Sequence, residues 1–108
     1  MKDKDANVWL LTLFDLPVGT LPERRAATKF RQHLLDIGFS MLQFSCYIVY
    51  VPKRHRVPAI IREVKEALPG GGDVRIVVFT DHQWQTSFWH HNSTTKQVPA
   101  PPDQLTIF

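Results

Sequence analysis

Asp15 is the acid best placed to do chemistry in this chain. It follows directly on an apolar run, residues 8–14 (VWLLTLF), which reads as a buried strand. A rigid element therefore aims its carboxylate at the edge of a sheet. A hard divalent cation such as magnesium takes one or two carboxylates, fills its other positions with water and bridges to phosphate. No second acid lies close to Asp15 in sequence, so a complete site calls for a second copy of the chain. A 108-residue chain readily gains surface by pairing, and two-fold dimers are the commonest assembly. The plainer duty for Asp15 is to organise the Asp15-Leu16-Pro17 turn through its side chain.

Phosphate is a fitting partner on charge. The chain has 13 Lys and Arg against 10 Asp and Glu, a net +3, with a pI near 9.3. The excess is spread over Arg24, Arg25, Lys29, Arg31, Lys53, Arg54, Arg56, Arg62, Lys65 and Arg75 rather than a tail. Arg24, Arg25, Lys29 and Arg31 belong to the segment directly after the Asp15 loop, where the planar fork of Arg suits two phosphate oxygens at once. The competing reading is a solvated helix face. Ser45 offers a hydroxyl to a phosphate or a metal-bound water, or serves a structural role; with no His beside it in sequence, it lacks the base a nucleophile needs. His90 and His91 point to opposite faces if they lie on a strand, and no Cys or nearby acid completes a metal set. Trp84, Phe88 and Trp89 read as packing of an edge segment or a subunit contact, with base stacking as the alternative. Cys46, the single cysteine, sits in an apolar run and cannot form an internal disulfide.

The elements that position these groups follow from the pattern. Thr20-Leu21-Pro22-Glu23 is a capping box with proline in the first turn. Ala27, Phe30, Leu34 and Ile37 then recur at helical spacing, and Gly38 is placed to end the helix. Residues 39–51 (FSMLQFSCYIVYV) are β-branched and aromatic, one bent strand or two short ones, with no Gly or Asn to mark a break. After a basic connector at residues 52–56, Val57, Ile60, Ile61, Val64 and Leu68 predict a second amphipathic helix, stopped by Pro69-Gly70-Gly71-Gly72. Residues 73–80 (DVRIVVFT) read as a strand and 83–89 as a further short one; 92–102 read as an extended linker. The expected division is a nucleic-acid-binding domain over residues 1–91 and a proline-rich linker with a strand-like tail over 92–108. This order predicts an α+β sandwich of the split βαβ kind, with helices on one face of a mainly antiparallel sheet and the other face free. The opening residues carry two acids and the first apolar run stops at Asp15, so neither a signal peptide nor a membrane span is expected, and the cytoplasm is the expected compartment.

Phe14-Asp15-Leu16-Pro17, Glu23-Arg24-Arg25, Lys29-Phe30-Arg31, Leu34-Leu35, Gly38-Phe39 and Met41-Leu42-Gln43-Phe44-Ser45-Cys46-Tyr47, followed by Leu68-Pro69 and Asp73-Val74-Arg75, form an ordered set. Over residues 8–83 the chain thereby resembles the CRISPR-associated endoribonuclease family, the smaller subunit of the spacer-acquisition complex. Its tail after the prolines resembles the variant in compact type-two systems. The resemblance implies a ferredoxin-like fold with an extra C-terminal strand, a homodimer with sheets face to face, and Mg2+ shared between the two copies of Asp15, at once metal ligand and catalytic residue. It implies an integrase subunit as partner, double-stranded DNA held across the assembly, and metal-dependent endonuclease activity on single-stranded RNA or duplex DNA, separable from a scaffolding role. Under it, Arg24, Arg25, Lys29 and Arg31 position the nucleic-acid backbone, and Ser45 matches the family's Gln-x-Ser motif. The tail pentamer 104–108 (QLTIF) is expected to add as a strand to a sheet edge of the other subunit or of the integrase. Two rival readings are a stand-alone toxin-type endoribonuclease and a regulatory ferredoxin-like module that binds no nucleic acid.

Overall fold

The computed structural model describes residues 7–92 and 94–101. Strand β1 (Val8–Asp15) lies between β3 (Cys46–Val51) and β4 (Asp73–Thr80), with β2 (Ser40–Gln43) at the far edge; every pairing is antiparallel in the order β2-β3-β1-β4. Helices α1 (Leu21–Ile37) and α2 (Val57–Glu66) occupy the two crossovers. This is the ferredoxin-like α+β arrangement expected from the order of elements.

Alternation along β1 sorts its side chains between two layers. Val8, Leu10 and Phe14 enter the core under the helices, with Phe30 and Leu34 from α1, Tyr47 and Val51 from β3, and Val57 and Val64 from α2. Phe14 meets Phe30 edge to face, ring centroids 5.2 Å apart. Burying each large apolar side chain contributes about 1.5–3 kcal/mol. Thr12 is fully buried in the same row, and its hydroxyl has no hydrogen-bond partner.

The α1 capping box forms as the sequence predicts. The Glu23 amide donates to Thr20 Oγ1 at 3.2 Å, and the Thr20 amide donates to Glu23 Oε1 at 2.9 Å. Gly38, at φ 125°, closes the helix by donating to the Leu34 and Leu35 carbonyls. The second helix is shorter than its apolar pattern: it ends at Glu66, and Leu68 is exposed. Pro69 keeps the residue before it out of helical geometry.

Residues 39–51 form two strands joined by a turn at Phe44 and Ser45. Ser45 itself takes the left-handed conformation, φ 62°, which is why no Gly or Asn announces the break. Ser45 is thus a turn residue and not a strand residue.

The face away from the two long helices is not wholly free, contrary to the sequence expectation. A short helix α3 (Asp81–Gln85), started by a second capping box from Thr80 and Gln83, replaces the beginning of the strand read at residues 83–89. Its Trp84 is buried and stacks on Trp9 with centroids 4.8 Å apart. Trp9 Nε1 donates to Asp81 Oδ1 at 2.8 Å, and Trp84 Nε1 donates to the Pro99 carbonyl at 2.8 Å. Trp84 is therefore a packing residue, as the plainer reading had it. Strand β5 (Trp89–His91) pairs with β6 (Thr94–Lys96) in a separate two-stranded sheet, so part of the segment read as linker is paired strand. Asn92, at φ 50°, stands in the connection. The pentamer 104–108 lies outside the described residues.

The candidate acidic site at the open sheet edge

Register shows what surrounds Asp15. On the face away from α1 and α2, cross-strand rows run Tyr50-Trp9-Phe79, Ile48-Leu11-Val77 and Cys46-Leu13-Arg75, and the last pair is Asp15 opposite Asp73. The first row lies under Trp84 and Val98; the other end is open, with Val77 38% exposed and both aspartates exposed. Asp73 is the functional candidate that sequence reasoning missed, because its partnership with Asp15 exists only across the sheet. The signal available was the strand start at Asp73, which an antiparallel register sets against the end of β1.

Like charges directly opposite on adjacent strands destabilise a sheet. Neither carboxylate has a hydrogen-bonding partner among the described residues, so no such bond there offsets the repulsion. Gly72 makes the juxtaposition possible: at φ 85°, a Cβ there would lie 2.5 Å from the Asp15 carbonyl oxygen. At Gly72 the loop thus passes against the Asp15 backbone with room for glycine only.

A hollow of about 450 Å³ opens beside the pair, lined by Asp15, Asp73, Ser45, Arg75, Gln43 and Phe44 among others. The Ser45 carbonyl accepts a hydrogen bond from the Phe14 amide at 3.0 Å, tying the β2–β3 turn to the residue before Asp15. Arg75 stands on the same face one row from the acids. Cys46 also lines the hollow. Burial pushes its thiol pKa up, which keeps it protonated and a poor nucleophile.

Of the site residues read from the sequence, the structure brings together Asp15 and Ser45. Arg24, Arg25, Lys29 and Arg31 lie on α1, and none of the four lines the hollow. Arg24 donates to the Val18 carbonyl at 3.1 Å, and Arg31 to Thr28 Oγ1 at 3.1 Å. Arg24, Arg25 and Lys29 remain exposed, so the helix presents a cationic arc apart from the exposed acidic pair of the sheet.

Two carboxylates supply hard oxygen donors that suit magnesium, which ordinarily keeps several waters. Among the described residues no group of three or more His, Cys, Asp or Glu could hold a metal ion. Among the described residues the donor set in one chain is therefore a pair. No helix among the described residues is long and apolar enough to cross a membrane.

A four-stranded ferredoxin-like sheet, helices on one face and an uncovered carboxylate pair at the edge of the other, defines the class of protein. The family model described as CRISPR associated protein Cas2 matches residues 8–87. Relatives named CRISPR-associated endoribonuclease Cas2 are similar over most of their length. The one from Paracidovorax avenae is 43% identical over 101 residues, covering 94% of each chain. That from Flavobacterium psychrophilum is 34% identical over 102 residues, covering 94% of this chain and 89% of the relative, and one from Streptococcus mutans is 36% identical over 99 residues, covering 92% of each. The chain belongs to the Cas2 family of CRISPR-associated proteins.

Proposed function

We propose that the chain acts in spacer acquisition as a homodimer that holds duplex DNA for a CRISPR integrase subunit, with Mg2+ at the Asp15 end of the open sheet face. The observation that carries this reading is the open half of that face, where Leu11, Leu13 and Val77 form an apolar strip running up to the Asp15–Asp73 pair. A second copy laid on the strip removes it from water and adds two further carboxylates beside the first two. Asp15 and Asp73 would hold the ion, which relieves their mutual repulsion. When bound, magnesium supplies a Lewis acid to a phosphodiester. Ser45 offers its hydroxyl at the rim, and the exposed cations Arg24, Arg25 and Lys29, with Arg31, give the dimer an outer phosphate-binding arc.

Sedimentation and duplex binding test the reading together. The expected result is a dimer that binds a short DNA duplex with a steep loss of affinity as salt rises, and forms a stable complex with the integrase subunit of its own locus. Val77→Lys, which places a charge on the apolar strip, is expected to give monomers. A wild-type monomer that binds no duplex at low salt contradicts the proposal.

A second reading, a stand-alone endoribonuclease, is favoured by the name its relatives carry. Turnover of single-stranded RNA that needs Asp15 and no integrase distinguishes it from a scaffold.

A further inference from the structure

The rim of the Asp15 hollow carries an aromatic ring that lies outside both apolar clusters. Phe44 is 91% exposed, the most exposed of the large apolar side chains among the described residues, yet it lines the hollow with Asp15, Asp73 and Arg75. Burial of an aromatic ring stabilises a fold, and this ring is left out of both apolar clusters. Its backbone, by contrast, is held firmly. Ser45 adopts the left-handed turn conformation beside it, and the Ser45 carbonyl is bonded to the Phe14 amide. The ring is thus carried on the tip of a hydrogen-bonded hairpin.

A flat apolar surface, a guanidinium and a carboxylate pair around one hollow match the three parts of a nucleotide. Bases of single strands are recognised by stacking on aromatic side chains, and every base offers a face for it. The guanidinium fork suits phosphate oxygens. The volume of about 450 Å³ lies within the usual range for ligand sites, roughly 300–1,000 Å³.

We propose that Phe44 and Arg75 hold one unpaired nucleotide at the Asp15 edge, the ring stacking the base and the guanidinium taking its phosphate. The inference rests on the nucleic-acid reading above and adds to it a preference for an unpaired strand at this end of the molecule. In a duplex both faces of a base are already stacked, so Phe44 contributes nothing to duplex binding. Phe44 is accordingly a positioning residue for the strand that Asp15 faces.

The test uses the full chain with chelator present, a fluorescently labelled oligo-deoxythymidine strand and a blunt DNA duplex of the same length. Phe44→Ala is expected to weaken single-strand binding about tenfold or more and to leave duplex binding unchanged. Phe44→Trp is expected to restore single-strand binding, with its fluorescence quenched by the stacked base. Arg75→Gln is expected to weaken single-strand binding and lower its salt slope by about one phosphate contact. The ring is exposed, so neither Phe44 variant should unfold the chain, and sedimentation of both checks their assembly. Single-strand affinity unchanged in Phe44→Ala overturns the inference, as does equal loss on the duplex or dissociation of the dimer, which would make the ring a subunit contact. Wild-type protein that binds neither strand nor duplex instead overturns the nucleic-acid reading on which it rests.

Discussion

Replacing Gly72 with alanine should damage the protein out of proportion to the single methyl added. At φ 85° the residue sits in the left-handed region, where an L side chain costs about 1–2 kcal/mol. The new Cβ would also stand 2.5 Å from the Asp15 carbonyl oxygen and 3.0 Å from Leu16 Cα. Both are backbone atoms of the β1 terminus, so they cannot swing aside as a side chain end would. Overpacking of this kind adds about 1–3 kcal/mol, and the two terms together make about 2–5 kcal/mol. For a domain near this size each kcal/mol lowers Tm by about 4–8 °C, so Gly72→Ala should melt about 10 °C or more below wild type. The loop contains its own control. Gly70 has nothing within 4 Å of a built Cβ, so Gly70→Ala should fall within about 0.5 kcal/mol of wild type or slightly above it. Thermal and urea unfolding of both variants at one protein concentration makes the comparison, since stability of an associating protein depends on concentration. Gly72→Ala as stable as Gly70→Ala would refute the reasoning about the loop and the backbone approach that sets Asp73 opposite Asp15.

Three further outcomes are expected. Thr12→Val removes a buried hydroxyl that has no partner while keeping the side-chain shape, and should raise stability by about 1 kcal/mol in urea unfolding. Trp84→Phe keeps a ring over Trp9 but deletes the bond to the Pro99 carbonyl; it should lower stability by about 1 kcal/mol and speed hydrogen exchange in the segment that follows β6. Burial raises the Cys46 thiol pKa, so its alkylation should stay slow at neutral pH and turn on at a higher pH than for the unfolded chain. The same shift makes a stabilising contribution that is complete below the unfolded thiol pKa and is lost as pH rises through the folded one; an alkylation midpoint at or below the unfolded value would contradict it.

Local signals carried much of the architecture. The capping box at Thr20 and Glu23, the spacing of Ala27, Phe30 and Leu34, and the stop at Gly38 delimit α1 as it is found. Strand β4 matches the run at residues 73–80. Helix α3 was legible in principle, since Thr80 and Gln83 form a capping box, but a single turn has no room for periodicity to confirm it. The Phe44–Ser45 turn was not legible, because a left-handed serine uses none of the residue types that ordinarily favour that conformation. At the candidate site, Asp15 stood out because it ends an apolar strand. Asp73 did not, because register is a property of the assembled sheet and the two acids are distant in the chain. Arg75 was visible as charge only, and the roofing of Trp9 by Trp84 required tertiary contact between β1 and α3.

The most direct test of the account is a calorimetric titration of magnesium into wild-type protein and Asp15→Asn at matched concentrations, with the oligomeric state of each measured alongside. The account predicts one ion bound per two chains in the wild type and loss of that binding in Asp15→Asn, with the dimer intact. Equal magnesium binding by both proteins, or none by the wild-type dimer, would contradict it.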